Sequence, residues 1–457
     1  MFVNRREELG ALERWWGRSG SALGLVWGRR RVGKTSLLEE FAGDKQAIFH
    51  TGAGRPAGDE LSLLSEAAGR TIDLGARDLG VRPFSSWDDA LDSLAAAATR
   101  KRLLLIIDEF PDLVKVSPEL PGVLRAFWDR ARGGTKLRIL LCGSAVRTME
   151  AMQEERAPLY GRFDLALLVH PFRPHEAAAL LSGLAPADRA LIWGIVGGIP
   201  LYLEWWDGDQ SVRQNLLRLA CSPGGRLLDE GRLVLATEGD LGDLGGLVLR
   251  AIAAGRTRHN EIEQAVRAEP SRVLERLVEL RLVERLVPVT ENPARTRRRV
   301  YRIADNFLAF WLGLLDRHRS AISRGLGKQI LPVLVEQLDD HMGDRWESAF
   351  RQHLVRLAAN GELGPEIVDV GRWWQDSPTM EIDAVALAGR SREAVLLGEA
   401  KWSRKVNGPA LRAELAEKAK ALPKLSPTPT YAVAARDRVT DPGDVLAVTA
   451  ADVFGGG

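Results

Sequence analysis

Apolar residues run almost unbroken through Ala22–Trp27, Leu103–Ile107 and Leu137–Cys142, and two further stretches, Ala47–Thr51 and Leu165–His170, read the same way. Runs of this length mark strands buried on both faces. Between them, Trp87–Ala98 and Glu119–Arg132 carry apolar residues at helical spacing. Strands alternating with helices predict an α/β fold built on a parallel sheet. Further along, three short helical stretches, Gly246–Ala254, Arg258–Ala268 and Ser271–Leu282, precede two strand candidates, Val283–Val289 and Val300–Ile303. Three helices and a hairpin of this size fit a winged helix-turn-helix. Towards the C-terminal end, Asp344–Leu357 is an amphipathic helix with Trp346, Phe350, Leu354 and Leu357 inward. Thr379–Ala388 alternates as a strand, the turn Gly389–Arg392 follows, and Glu393–Lys401 is a second strand. A helix, Pro409–Leu422, and a strand, Thr430–Ala434, complete that region.

The 457 residues exceed what one core organises, so roughly two to four domains are expected. A net charge of +2 excludes bulk attraction to nucleic acid and directs attention to local clusters. Cys142 and Cys221 stand far apart without metal-ligand spacing, and the seven histidines form no zinc motif. Met1–Arg6 lacks the apolar region of a signal peptide, and no apolar run approaches the roughly 20 residues of a membrane span. A cytoplasmic protein without a membrane partner is expected.

Residues 28–35 read G-R-R-R-V-G-K-T between a strand and a helix start, Ser36–Ala42. Such a loop turns successive backbone N–H groups toward a phosphate. Gly28 and Gly33 allow the close approach, Lys34 meets the β and γ phosphates, and Thr35 ligates Mg²⁺. Gly28, Arg31, Val32, Gly33, Lys34, Thr35 and Ser36 are therefore the candidate contacts of a bound nucleoside triphosphate, with ATP and Mg²⁺ as the expected cofactors. The third strand candidate closes on Asp108-Glu109. Asp108 is placed for the metal and Glu109 for orienting and deprotonating the attacking water. Ser144 ends the next strand, either contacting the γ phosphate or water or capping the helix Ala145–Met152. Arg162 reads either as an arginine finger or as a surface arginine.

Several stretches resemble the archaeal-ATPase branch of the STAND-class P-loop NTPases, relatives of AAA+ proteins. They are Phe2–Leu9, the run L-L-L-I-I-D-E-F ending at Phe110, L-C-G-S ending at Ser144, P-L-Y-G-R over Pro158–Arg162, and Gly197-Gly198-Ile199-Pro200. The resemblance extends over residues 1 to about 310. It implies a helical lid whose Pro200 region packs near the base, and slow hydrolysis coupled to conformation. The loop between the two wing strands holds Arg295, Arg297, Arg298 and Arg299, enough to touch nucleic-acid phosphates. On the proposed recognition helix Arg272 and Arg276 are mixed with Glu275 and Glu279, which favours the wing as any contact. A structural spacer remains the alternative.

Strand periodicity puts Glu381, Asp383 and Val385 on one face, and Leu397, Glu399 and Lys401 on one face of the next strand. The hairpin lets Asp383 and Glu399-x-Lys401 converge, with Glu347 flanking from the helix. Two carboxylates at one point call for a divalent cation, with Asp383 and Glu399 as ligands, and a lysine beside them can stabilise a phosphorane. Glu347, Asp383 and Glu399-Ala400-Lys401 resemble the restriction-endonuclease-like, or PD-(D/E)xK, nuclease superfamily, except that Ile382 stands where proline is usual. Lys418 is a further phosphate contact. The expected organisation is a P-loop NTPase sheet (1–170), a helical lid (171–242), a winged helix-turn-helix (243–315), a linker helix (316–340) and a restriction-endonuclease-like α/β domain (341–457). The expected function is a regulatory ATPase coupled to a metal-dependent nuclease acting on nucleic acid, DNA foremost. A nucleic-acid-binding ATPase switch, or a signalling scaffold that forms a homo-oligomer on ATP, is the alternative.

Overall fold

The computed structural model describes residues 2–455 except 76, 238–240, 365 and 376–379, so Met1 and Thr379 lie outside the described residues. The chain packs as two compact units, Met1–Pro171 and Phe172–Gly457. In the first, the strands β1 (Ala22–Trp27), β2 (Ala47–Thr51), β3 (Leu103–Asp108), β4 (Leu137–Gly143) and β5 (Leu165–Leu168) form one parallel sheet in the order β2-β3-β4-β1-β5. Every residue of β1, β3 and β4 is buried, which is why these segments lack polar alternation. Gly24 lets the helix Arg6–Trp16 pack close, since a Cβ there would sit 2.5 Å from Leu140 and 3.3 Å from Trp15. Trp27 is in register with Gly143, so the ends of β1 and β4, and Asp108 at the end of β3, meet at one edge of the sheet.

The second unit begins with helices and ends with a sheet. Phe172 N donates to Gly198 O at 2.7 Å, and a Cβ on Gly198 would overlap Phe172 O, while Gly197 holds φ 70°, so each of the paired glycines before Pro200 has its own reason. The helices Gly242–Ala253, His259–Val266 and Ser271–Glu279 lead into an antiparallel hairpin of β6 (Val283–Leu286) and β7 (Val300–Ile303). The 22-residue helix Leu338–Ala359 then lies against a sheet of β8 (Ile367–Trp374), β9 (Glu381–Ala388), β10 (Glu393–Lys401), β12 (Leu425–Ala435) and β14 (Leu446–Val448), with the short strands β11 (Lys405–Asn407) and β13 (Arg438–Thr440) paired beside it. The sheet is mixed: β8, β9 and β10 are antiparallel neighbours, while β12 and β14 add in parallel. Trp346, Phe350 and Leu354 are fully buried under the helix, as the amphipathic pattern predicted, while Leu357 is only partly covered. A Cβ on Gly398 would meet the Phe350 ring at 2.6 Å, so this glycine sets how closely helix and sheet approach. No helix among the described residues is long and apolar enough to cross a membrane.

Candidate functional sites

The loop 28–33 leaves β1 and enters the helix Lys34–Ala42. Gly28 lies against the neighbouring chain, where a Cβ would come within 2.3 Å of Val169 O. Arg31 and Gly33 take left-handed conformations at φ 69° and 86°, which aligns successive N–H groups for an anion. Lys34 is buried, and its Nζ donates to Gly28 O at 2.9 Å and Arg29 O at 3.0 Å. Burial lowers its pKa, opposed by Cys142, Glu109 and Asp108 nearby. Thr35 Oγ1 donates to Asp108 Oδ2 at 2.7 Å, so the two expected metal ligands touch. Hard oxygens from a hydroxyl and a carboxylate suit Mg²⁺. Ser36 follows as the third residue of the same helix.

Glu109 holds φ 48° at the first position before the helix Phe110–Val116, yet its carboxylate makes no capping bond. It accepts instead from Ser144 Oγ, at 2.9 Å to Oε2. Ala145, not Ser144, occupies the cap position of Val146–Ala151, and no side chain caps that helix. Arg162 forks onto Asp129 at 2.9 and 2.8 Å and also donates to the carbonyls of Pro158 and Tyr160. Arg5, within the Phe2–Leu9 stretch, is buried and ties the loop down: Nη2 donates to Val32 O at 2.7 Å and Nη1 to Glu8 at 2.8 Å. Pro200 opens the helix Pro200–Glu204 in the second unit.

In the C-terminal region the hairpin register pairs Gly398 with Ala384, which brings Asp383 beside Glu399 and Ala400. Both acids are nearly inaccessible, Asp383 at 5% and Glu399 at 4% exposure. Asp383 Oδ2 accepts from Ala400 N at 2.9 Å. Glu399 is held by two lysines, Lys401 at 2.6 Å and Lys418 at 3.1 Å. Glu347 reaches over from the helix, and one oxygen each from Glu347, Glu381 and Asp383 lie within 4.8 Å of one another. Burial and the Asp383 charge push Glu347 up to about 8, while burial and Glu399 push Asp383 up to about 6. For Lys401 burial works to lower the pKa, but the hydrogen bond to Glu399 and the charges of Glu399, Asp383 and Glu347 together leave it raised. Glu347 Oε2 is buried without a hydrogen bond, though Arg372 Nη2 lies 3.3 Å away. An orphaned carboxylate oxygen in an all-oxygen cluster fits a hard divalent cation.

Two arginines at this site escaped sequence reasoning. Arg351 sits one helical turn after Glu347, a legible i,i+4 pair, and donates to Asp383 O at 2.6 Å. Arg372 contacts Glu347 and Glu381 from β8, a strand that the hydrophobic pattern did not reveal. Glu381 had been placed on the same face as Asp383, and that i,i+2 spacing was the signal for it.

The wing loop holds Arg295, Arg297, Arg298 and Arg299, but also Glu291, which pairs with Arg298 at 2.8 Å. The loop is rooted on β8: Val289 N donates to Arg372 O at 2.8 Å, and a Cβ on Gly371 would lie 2.9 Å from Val289. On the helix Ser271–Glu279, Arg276 pairs with Glu279 at 3.7 Å.

Residues 2–205 match the family model of an ATPase domain predominantly from Archaea. Residues 311–417 match a model of archaeal and bacterial proteins of unknown function. The chain is similar to an uncharacterized protein of Methanocaldococcus jannaschii, 27% identical over a 417-residue alignment, with 88% of this chain and 88% of that one covered. A 46-residue stretch is 52% identical to an uncharacterized ATP-binding protein of the same organism, spanning 10% of this chain and 78% of that one. Among solved structures, the fold is similar to a Walker-type ATPase of Pyrococcus abyssi, with a TM-score of 0.53 at 22% identity over 68% of this chain and 96% of that one. The chain thus carries a P-loop ATPase domain, followed by a mixed-sheet domain at its C-terminal end.

Proposed function

We propose that this chain is a regulatory ATPase of the cytoplasm whose nucleotide state governs a C-terminal, metal-dependent nuclease domain acting on nucleic acid, DNA foremost. The observation that carries the reading is the gathering of Glu347, Glu381 and Asp383 oxygens within 4.8 Å, beside Glu399 and Lys401. Carboxylates so close repel unless a cation lies among them. Glu347, Glu381 and Asp383 would hold it, with Glu399, now paired to Lys401 and Lys418, as a further ligand, and a divalent ion there would supply Lewis-acid stabilisation of a phosphodiester and lower the pKa of a bound water. Lys401, 46% exposed, is free to swing from Glu399 onto negative charge developing at phosphorus.

In the first unit Thr35 and Asp108 would hold Mg²⁺, which offsets charge on the triphosphate. Lys34 exchanges two carbonyl partners for phosphate oxygens. Glu109, oriented by Ser144, takes the proton of the attacking water. Arg162 serves Asp129 and is not used in this step. The wing arginines supply phosphate contacts.

The test is nicking of supercoiled plasmid with and without Mg²⁺, wild type against Asp383→Ala. Cleavage that needs the cation and disappears in the variant is the expected result. Wild type that never cuts DNA or RNA, or a variant that cuts equally, sinks the nuclease. A second reading, an ATPase switch whose C-terminal domain binds without cutting, has one observation on its side: Arg372 already bridges Glu347 and Glu381.

A further inference from the structure

The wing arginines do not form a track along the surface. Arg295, Arg297, Arg298 and Arg299 line one cavity of about 770 Å³, together with Arg258 from the start of a helix and Trp374 at the end of β8. The backbone fixes this meeting of three elements, because Tyr301 N donates to Thr257 O at 2.8 Å and holds β7 beside Arg258. The volume falls within the roughly 300–1,000 Å³ of small-ligand sites. No carboxylate lines it among the described residues, and Glu291 offsets only Arg298. Among the described residues no hydrogen bond or ion pair engages the guanidinium groups of Arg295, Arg297 or Arg299, and Arg299 Nε is buried without a partner. Guanidinium groups gathered around one hollow with no carboxylate in its lining favour an anion of high charge density there.

We propose that this cavity binds a phosphate monoester, carried by the end of a single nucleic-acid strand. The proposal rests on the reading that the chain binds nucleic acid and names which part of it is held here. A backbone phosphodiester carries one charge and two free oxygens, and its neighbours demand cations strung out along a groove. A terminal monoester carries about −1.5 to −2 charges at neutral pH and three acceptor oxygens, which matches several forks aimed at one point.

The experiment uses the full chain with excess ADP, so that the phosphate loop is occupied. Fluorescence anisotropy compares a short single-stranded oligonucleotide bearing a 5′-phosphate, a 3′-phosphate or hydroxyls at both ends. One phosphorylated form should bind wild type at least about tenfold more tightly than the hydroxyl form, and the preference should collapse in Arg299→Gln and in the more exposed Arg258→Gln. Equal affinity for all three strands, or a preference unchanged in both variants, overturns the proposal and leaves general nucleic-acid binding standing. If no strand binds at all, the nucleic-acid reading has failed, and ribose 5-phosphate decides the cavity by calorimetry. Saturable binding lost in both variants keeps the monoester site with a free ligand as its source; no heat of binding rejects it.

Discussion

Replacing Glu109 by Gln removes one proton acceptor and little else. The side chain keeps its length, and its amide oxygen still accepts from Ser144 Oγ, now 2.9 Å from Oε2. The left-handed backbone at φ 48° is equally strained for Glu and Gln, so that strain cancels between the two proteins. What the fold loses is the charge assistance of one hydrogen bond, about 1 kcal/mol. Turnover loses a general base, on the order of a hundredfold or more, which is about 2.7 kcal/mol of barrier. The two effects separate cleanly. Phosphate release under saturating ATP should fall by that factor, while equilibrium binding of ATP and the thermal midpoint stay close to wild type. Asp108→Asn is the control: it disturbs the partner of Thr35 and should shift the Mg²⁺ dependence instead. Turnover of Glu109→Gln at the wild-type rate would refute the assignment, leaving Glu109 as the residue that turns the chain into Phe110–Val116.

Replacing Arg295, Arg297, Arg298 and Arg299 together should weaken nucleic-acid binding and flatten its dependence on salt, since fewer counterions are released; an unaltered slope would make the hairpin a spacer rooted on β8. His341 Nε2 donates to Gly194 O at 3.0 Å in a buried niche, and burial, with Arg345 beside it, holds its pKa down to about 3. Its folded value lies below the unfolded value of about 6.5, so stability is unaffected above pH 6.5 and falls as pH drops toward 3. The loss reaches roughly 2 kcal/mol at pH 5, and denaturant midpoints for wild type and His341→Gln should differ in pH slope by that amount; equal slopes would show that His341 is not the group responsible.

What could be read in advance follows from how each element is buried. β1, β3 and β4 are covered on both faces, so their apolar runs stand out from the polar helices around them. β8 lacks that signal. Its residues Ile367–Trp374 mix exposed and partly covered positions, and its pairing to β9 shifts register twice, so no alternation survives in the sequence. Arg372 was hidden with it. The first half of β12 was missed for another reason: Pro427 and Pro429 withhold ladder donors, and the strand there runs past an irregularity in β10 before regular pairing begins at Thr430. The strand order is also outside local reach, because β4 lies between β1 and β3 only through contacts distant in sequence.

The charged groups of the C-terminal cluster were legible as residues but not as a balance. Spacing alone put Asp383, Glu399 and Lys401 together and Glu347 nearby. It said nothing of Arg351 or Arg372, although carboxylates as well covered as Glu347 and Asp383 require compensating charge. The same requirement explains why the acids are unequal. Glu399 takes two lysines and Asp383 takes the Ala400 N–H, whereas Glu347 faces Asp383 and keeps an oxygen without a hydrogen bond. Glu347 is thus the member whose charge is least well met by the protein. A cation entering the cluster gains most at that oxygen, and Arg372, 3.3 Å away, is the group it would have to push aside.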